Sequence, residues 1–291
     1  DMDKEYPIMS KDDVTILGGD ETITFTVPED AVGAADTISI DFGNASPDTL
    51  NFGTPLPGGM GEDHISFDSI FQRYEKGLFG KITFEGKAPK KWTKSLAEEM
   101  AVESACIAGH SDDPVSDSIV LGKDKQLANV FVHITKGIPN NAKYAIPSAP
   151  VVIDQKGCMY KPHVVGAMAG QEIKILNSDG IMHNVHALPS KNAEFNKAMP
   201  KTKKTFSHTF EEAEPIFPIK CDVHPWMGGY IGILNHPFFN VTDIDGKFEI
   251  KDLPAGTYDV EAWHEKLGTQ KQTVTVVDGK PHTLNFTLSR S

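Results

Sequence analysis

Seven consecutive residues, Cys221-Asp222-Val223-His224-Pro225-Trp226-Met227, space a thiol, an imidazole and a thioether three residues apart. Upstream, Ile181-Met182-His183-Asn184-Val185-His186 ends an apolar, strand-like run and brings a second imidazole at His183. Two imidazoles, one thiolate and a weak axial thioether suit a single copper ion, because soft sulfur favours Cu(I) while imidazole suits Cu(II). Zinc is the rival for so short a Cys–His spacing. It has little use, however, for a methionine as fourth ligand. Taken singly, each residue is ordinary, since lone histidines and methionines mostly pack or face solvent. The conjunction of the two segments carries the reading.

The elements that must position these residues read as strands. Apolar residues alternate far more often than they recur at helical spacing, and 25 glycines and 19 prolines punctuate them. That pattern predicts an all-β chain of sandwiches and turns. Glu172–Asn177 is the strand expected to lead toward His183, and Ile216–Lys220 the one expected to deliver Cys221. Gly80–Phe84 and Asn129–Ile134 read as further strands. A short helix is expected across residues 92–105, and a Lys- and Asn-rich loop across 190–204. At 291 residues, with 39% hydrophobic content, the chain is long enough for two compact units and extras.

Residues Val151 to Leu234 resemble the cupredoxin family, amicyanin-type proteins most of all, on the strength of Met182-His183-Asn184-Val185-His186 and Cys221-x2-His224-Pro225-x-Met227. The resemblance implies a type 1 blue-copper site with His183, Cys221, His224 and Met227 as ligands. It assigns His183, not His186, to the metal and makes Asn184 a tether between the two ligand loops. One departure is Asp222, which follows the cysteine where many relatives carry a small hydroxyl residue. An anion beside the thiolate favours Cu(II), so a lowered potential is expected. In related proteins the exposed edge of the loop histidine passes the electron, so His224 is expected in an apolar docking patch with Pro225 and Trp226.

A second resemblance follows from Val241-Thr242-Asp243-Ile244-Asp245-Gly246-Lys247-Phe248-Glu249-Ile250 and Leu253-Pro254-Ala255-Gly256-Thr257-Tyr258. This text is similar to the carboxypeptidase regulatory-like, transthyretin-like sandwiches, with Asp245-Gly246 expected as a hairpin turn. About fifty residues supply only about four strands, too few for a seven-stranded sandwich. The missing strands are sought at Gly80–Phe84 and Asn129–Ile134. The expected architecture is therefore a cupredoxin Greek-key sandwich inserted in, or followed by, an Ig/transthyretin-like sandwich. Its parts are an acidic arm at 1–65, a first sandwich segment at 66–147, the copper domain at 148–235 and a second sandwich segment at 236–291. The tract Thr54–Gly61 reads as a linker.

The formal charge of −12 is concentrated in residues 1–65, which hold fourteen acids and two lysines, while the remainder balances. Nucleic acid is thereby disfavoured, since its binding needs clustered Lys and Arg. The arm suits docking on a basic redox protein such as a c-type cytochrome or oxidoreductase, or is simply solvated. Apart from Cys221, Cys106 and Cys158 remain. A disulfide between them fits an oxidising periplasm or cell exterior; two buried thiols or a further metal contact are the other readings. No run of 18 apolar residues exists, so no transmembrane helix is expected. The Asp1 start is read as a processed, extracytoplasmic chain. His163, His186, His236 and His264 lack a tight metal-binding spacing and are expected to be satisfied by ordinary hydrogen bonds. With all four copper positions filled by protein, a one-electron carrier is expected rather than an enzyme. The rivals are a structural subunit of a respiratory assembly and a copper chaperone or store.

Overall fold

The structure, a computed structural model, describes residues 77–290 apart from 140, 278 and 279, together with three strands nearer the N-terminus. Those strands, β1 (Val14–Leu17), β2 (Thr22–Thr26) and β3 (Thr37–Asp41), form an antiparallel sheet in the order β1-β2-β3. Each is a run rich in β-branched residues, which fit a pleated surface. The linker expected at Thr54–Gly61 lies outside the described residues. The chain separates into Asp1–Tyr74 and Glu75–Ser291, and the site lies wholly in the second unit.

In that unit the chain opens with β4 (Gly77–Glu85), passes two single-turn helices, α1 (Ala97–Met100) and α2 (Ser104–Ala108), and forms β5 (Phe131–Lys136). Nine strands follow: β6 (Val151–Gln155), β7 (Tyr160–Lys161), β8 (Val164–Met168), β9 (Glu172–Asn177), β10 (His183–Ala187), β11 (Phe195–Met199), β12 (Thr205–Thr209), β13 (Glu214–Lys220) and β14 (Gly228–Leu234). They make two sheets of their own, β11-β10-β13-β14-β8 and β12-β9-β6-β7. In β9 buried and less buried residues alternate along the strand, the period of a strand with one face in a core. Ile153, Ile173, Ile175, Val185, Phe217 and Ile231 form that core, and Cys221 and Met227 sit at its edge.

The last strands are β15 (Phe239–Val241), β16 (Lys247–Lys251), β17 (Gly256–His264), β18 (Gly268–Val276), β19 (Pro281–Thr283) and β20 (Phe286–Ser289). They do not pair only with one another. β5 lies between β15 and β17 in the sheet β15-β5-β17-β18, and β4 lies between β16 and β19 in the facing sheet, with β20 also on β4. Two strands from before residue 137 thus complete a sandwich whose other strands come after residue 238. Its core holds Leu78, Ile82, Val132, Ile134, Phe248, Val260 and Phe286.

The two sandwiches meet where β8 and β14 face β5 and β15. Phe131, Val164 and Leu234 are buried there with Phe239 and Trp263 against them. The approach is close enough to require glycine. A Cβ on Gly232 would lie 2.5 Å from the Phe131 ring, and one on Gly166 would lie 2.5 Å from the Phe239 ring.

Three local expectations need correction. The helix expected over 92–105 is broken into α1 and α2 by Glu103, whose backbone is extended. Met100 and Cys106 are both fully buried in one small cluster. On an unbroken helix six residues turn through roughly 600°, which would aim the two side chains about 120° apart. The Asp245-Gly246 turn forms, with Gly246 at φ 69°, and Asp243 Oδ1 accepts the N–H groups of Asp245 and Lys247. It is not a hairpin turn, because β15 joins β5 in one sheet and β16 joins β4 in the other. The Thr242 hydroxyl, donating to the Leu127 carbonyl and accepting the Val130 N–H, ties the chain to the first sheet just before the turn. Finally, the loop expected at 190–204 contains β11, which pairs with β10 through the register His186 to Asn196.

Candidate metal centre

The start of β10 and the end of β13 converge at one edge of their sheet, where the register pairs His186 with Lys220. His183 and Cys221 consequently face each other at the strand ends. The Tyr160 hydroxyl, fully buried, lies 2.7 Å from the Asn184 carbonyl and 3.0 Å from that of Lys220, bridging the two strands just behind the site. The loop from Cys221 to Met227 closes on itself. Cys221 N–H donates to the Met227 carbonyl at 3.0 Å, and Met227 N–H donates to the His224 carbonyl at 2.9 Å.

Three of the four expected ligands present their donor atoms to one another. His183 Nδ1 lies 2.9 Å from His224 Nδ1, and Cys221 Sγ lies 4.0 and 3.8 Å from the two nitrogens. The centre of the circle through these three atoms is about 2.1 Å from each, the length of a metal–imidazole bond and about 0.2 Å short of a metal–thiolate bond. All three side chains are buried, His183 completely. The fit of two nitrogens and one sulfur to a single ion is therefore geometric as well as chemical. Met227, 1% exposed, is buried in the same core as Cys221 at the end of the loop.

The charge state of the trio suits a cation. Burial opposes ionisation of Cys221, but hydrogen bonds from His183 and from the N–H groups of Asn184, His224 and Val223 outweigh it and bring the thiol below its ordinary pKa. Burial likewise works against a charged His183, yet Asp179 and Cys221 raise it to about 9. His224 moves the other way, lowered by burial and then by the charge of His183. In the metal-free pocket His183 is therefore biased toward its charged form, Cys221 toward the thiolate and His224 toward the neutral imidazole. A cation bound here would displace a proton from His183 and would meet a thiol already biased toward ionisation.

Asn184 ties the two ligand segments together. Its Oδ1 accepts the Asp222 N–H at 2.7 Å and lies 3.2 Å from Cys221 Sγ, while its Nδ2 donates to Asn196 and to Asp222. Asp222 accepts further from Asn196 and His186 and pairs with Lys220 at 3.0 Å. Lys220 first, then Asn196 and His186, hold its carboxyl down to about 2. Because Lys220 and His186 compensate this anion, its field at the sulfur is smaller than the sequence suggested.

His224 does not occupy the exposed apolar edge expected of it. It is 4% exposed, with the Trp226 ring 5.2 Å away. Cys106 and Cys158 form a disulfide, and both sulfurs lie within 4.8 Å of a His224 ring nitrogen. The cover is the segment carrying α1 and α2, whose Leu96, Met100 and Cys106 pack with Cys158, Met159 and Trp226. Exposed apolar side chains are found instead on the residues preceding the two histidines, Met182 and Val223.

Asp179 has no counterpart in the sequence reading. Its carboxylate lies 2.8 Å from His183 Nε2 and accepts the N–H groups of Gly157 and Cys158. The four-residue spacing to His183 was visible, but an Asp-Gly turn is so common that it carried no signal. The four other histidines singled out in the sequence are engaged elsewhere, although His264 Nε2 is buried without a hydrogen-bond partner among the described residues. His163 meets Glu265 at 2.6 Å, and the pair lines a cavity of about 790 Å³ together with Trp226 and Met227. His186 contacts Asp222 and Glu194, His236 Nε2 contacts the Ile134 carbonyl, and His264 Nδ1 accepts the Lys266 N–H.

A family model described as the carboxypeptidase regulatory-like domain matches residues 238–289, the segment where that resemblance was read. No curated protein matches the chain. Among solved structures, the chain is similar to a copper-containing nitrite reductase from Thermus scotoductus SA-01, at 19% identity over 35% of this chain and 26% of that one, with a TM-score of 0.28. It therefore spans about a quarter of that enzyme. It is also similar to a mutant of amicyanin in its Cu(I) form, at 22% identity over 35% of this chain and 97% of that one, TM-score 0.27. A purple cupredoxin from Nitrosopumilus maritimus is 22% identical over 28% of this chain and 98% of that one, TM-score 0.25.

Proposed function

We propose that this protein is a type 1 copper electron-transfer protein working outside the cytoplasm. The observation that carries the reading is the buried triangle of His183 Nδ1, His224 Nδ1 and Cys221 Sγ, whose size accepts one ion at bonding distance from all three. Met227, buried in the same core, would be the fourth donor. Copper in such a site supplies a reversible one-electron change. The residues would do the rest: Cys221 would supply the charge that holds the ion and His183 and His224 its nitrogen donors, while the Asn184 and Tyr160 contacts keep the strand ends from spreading. A rigid pocket shifts little between oxidation states, which is what rapid electron exchange needs. With every position taken by protein, a substrate has no place at the ion, so the role is that of a carrier and not of an enzyme.

The Cys106–Cys158 disulfide supports an oxidising compartment such as the periplasm. The partner is a redox protein, a c-type cytochrome or an oxidoreductase. The exposed Met182 and Val223 next to the ligands offer it an apolar approach. Service as a subunit of a larger envelope complex is compatible with the same chemistry, and the second sandwich provides the surface for it.

Purified protein titrated with Cu(II) is expected to develop an intense blue absorption and a narrow copper hyperfine splitting at one equivalent, both absent from Cys221→Ala. Protein that takes up zinc but shows no thiolate-to-copper band would sink the reading.

A further inference from the structure

We propose that Asp179 is the positioning residue of the centre: it holds the Nε2 proton of His183 and so presents the Nδ1 lone pair to the ion. The inference deepens the copper reading and rests on it for its electrochemical consequence. The Asp179 side chain is 5% exposed, and His183 is fully buried. Three groups converge on that carboxylate: His183 Nε2 at 2.8 Å, the Cys158 N–H at 2.8 Å and the Gly157 N–H. Among the described residues no lysine or arginine forms an ion pair with it. His183 is thus the one described side chain that pairs with its charge; its other partners are backbone amides.

The two amides converge because Gly157 and Cys158 both adopt left-handed backbone, at φ 64° and 53°. Successive amides aimed to one side make an anion-holding concavity. Such a conformation costs a residue other than glycine of the order of 1–2 kcal/mol. Cys158 is kept there by its disulfide to Cys106 and by the hydrogen bond to Asp179. A turn acid needs only backbone partners. The third donor, a metal-facing ring, is what distinguishes this one. A carboxylate behind a ligating histidine fixes the tautomer and raises the basicity of the ligand. Asp222, although adjacent to the cysteine, is compensated by Lys220 at 3.0 Å. Of the acids near the centre, Asp179 is the one that hydrogen-bonds directly to a ligand-set imidazole.

The first measurement needs no metal. In the metal-free wild-type chain, the long-range proton–nitrogen spectrum of the histidine rings is expected to show His183 protonated at Nε2 with a slowly exchanging proton. A ring protonated at Nδ1 alone overturns the proposal. The second uses Asp179→Asn, which keeps the shape of the turn and removes the charge. Cu(II) affinity is expected to fall about 10- to 100-fold. Each tenfold loss borne by Cu(II) and not by Cu(I) raises the potential by about 59 mV. An unchanged potential and affinity in a folded variant overturns the proposal. Should Asp179→Asn fail to fold, the wild-type ring spectrum decides alone. Failure of the wild-type chain to bind copper would be told apart from failure of this inference, because the Nε2 proton is read without the ion.

Discussion

Breaking the bond between Cys106 and Cys158 is the most informative single perturbation of the fold. The two cysteines are 52 residues apart, and closing a loop of that length removes about 4 kcal/mol of chain entropy from the unfolded state at 25 °C. Replacing both by alanine also leaves two sulfur-sized gaps among Leu96, Met100 and Met159, worth about 0.8 kcal/mol each at the rate of a buried methylene. The sum, about 5–6 kcal/mol, is comparable with the whole stability of an ordinary domain. Urea unfolding of the metal-free double variant, followed through Trp226, is the assay. The indole N–H of Trp226 donates to the Cys158 carbonyl at 3.2 Å, so its emission reports on this cover directly. The midpoint should fall sharply and the slope rise, because an unlinked chain exposes more surface on unfolding. Amide exchange should quicken first at the N–H groups of Leu96 and Met100, which hydrogen-bond to the carbonyls of Pro114, inside the loop, and of Leu96, just ahead of it. A variant within about 1 kcal/mol of the wild type, with an unchanged slope, would refute the entropy argument and show that packing alone holds the loop.

Two further outcomes follow from the sandwich. His133 and His264 are 2% and 1% exposed, and burial, only partly opposed by Glu261 and Glu265 respectively, pushes both down to about 4. A histidine whose folded pKa is depressed is neutral when buried but takes a proton on unfolding. Stability is therefore complete above the unfolded value near 6.5 and is lost as pH falls from there toward 4. The loss is roughly 3 kcal/mol for each residue at 1.36 kcal/mol per pKa unit; thermal melts from pH 7 to 4 should show it, and a histidine-to-glutamine change that left the profile untouched would refute it. Gly232→Ala should cost about 1–3 kcal/mol by overpacking, since its Cβ meets both the Phe131 ring and, at 2.6 Å, the Pro215 carbonyl. Calorimetry showing no loss would mean that the two sandwiches can separate without penalty.

How much of this was legible depends on whether the information was local. The spacing within Cys221–Met227 and the strand leading to His183 are local, and the three donor atoms do meet. The alternation in β9 and β17 is local too, and both are strands with alternating burial. The Asp245-Gly246 turn was legible as a turn, but whether its flanking strands share a sheet depends on partners more than a hundred residues away in sequence, as with Val130 and Thr242 at a separation of 112. The cover over His224 was invisible for a similar reason. Residues 94–108 have no strong periodicity, and what places them is a disulfide whose pairing was only one of three readings. Asp179 escaped notice because its function lies in the direction of a side chain, which spacing does not encode.

The proximity of the disulfide to the His183–Cys221–His224 cluster bears on how the protein matures. Three cysteines reach one pocket: the sulfurs of Cys106 and Cys158 lie within 4.8 Å of a His224 ring nitrogen, and Cys221 Sγ lies 3.8 Å from its Nδ1. Three thiols can pair in three ways, and only one of those leaves Cys221 free. During oxidative folding, attack by the Cys221 thiolate on a newly formed bond would exchange partners and trap a chain with no ligand sulfur. An ion bound at Cys221 would block that exchange, which would couple metal delivery to disulfide formation in this pocket.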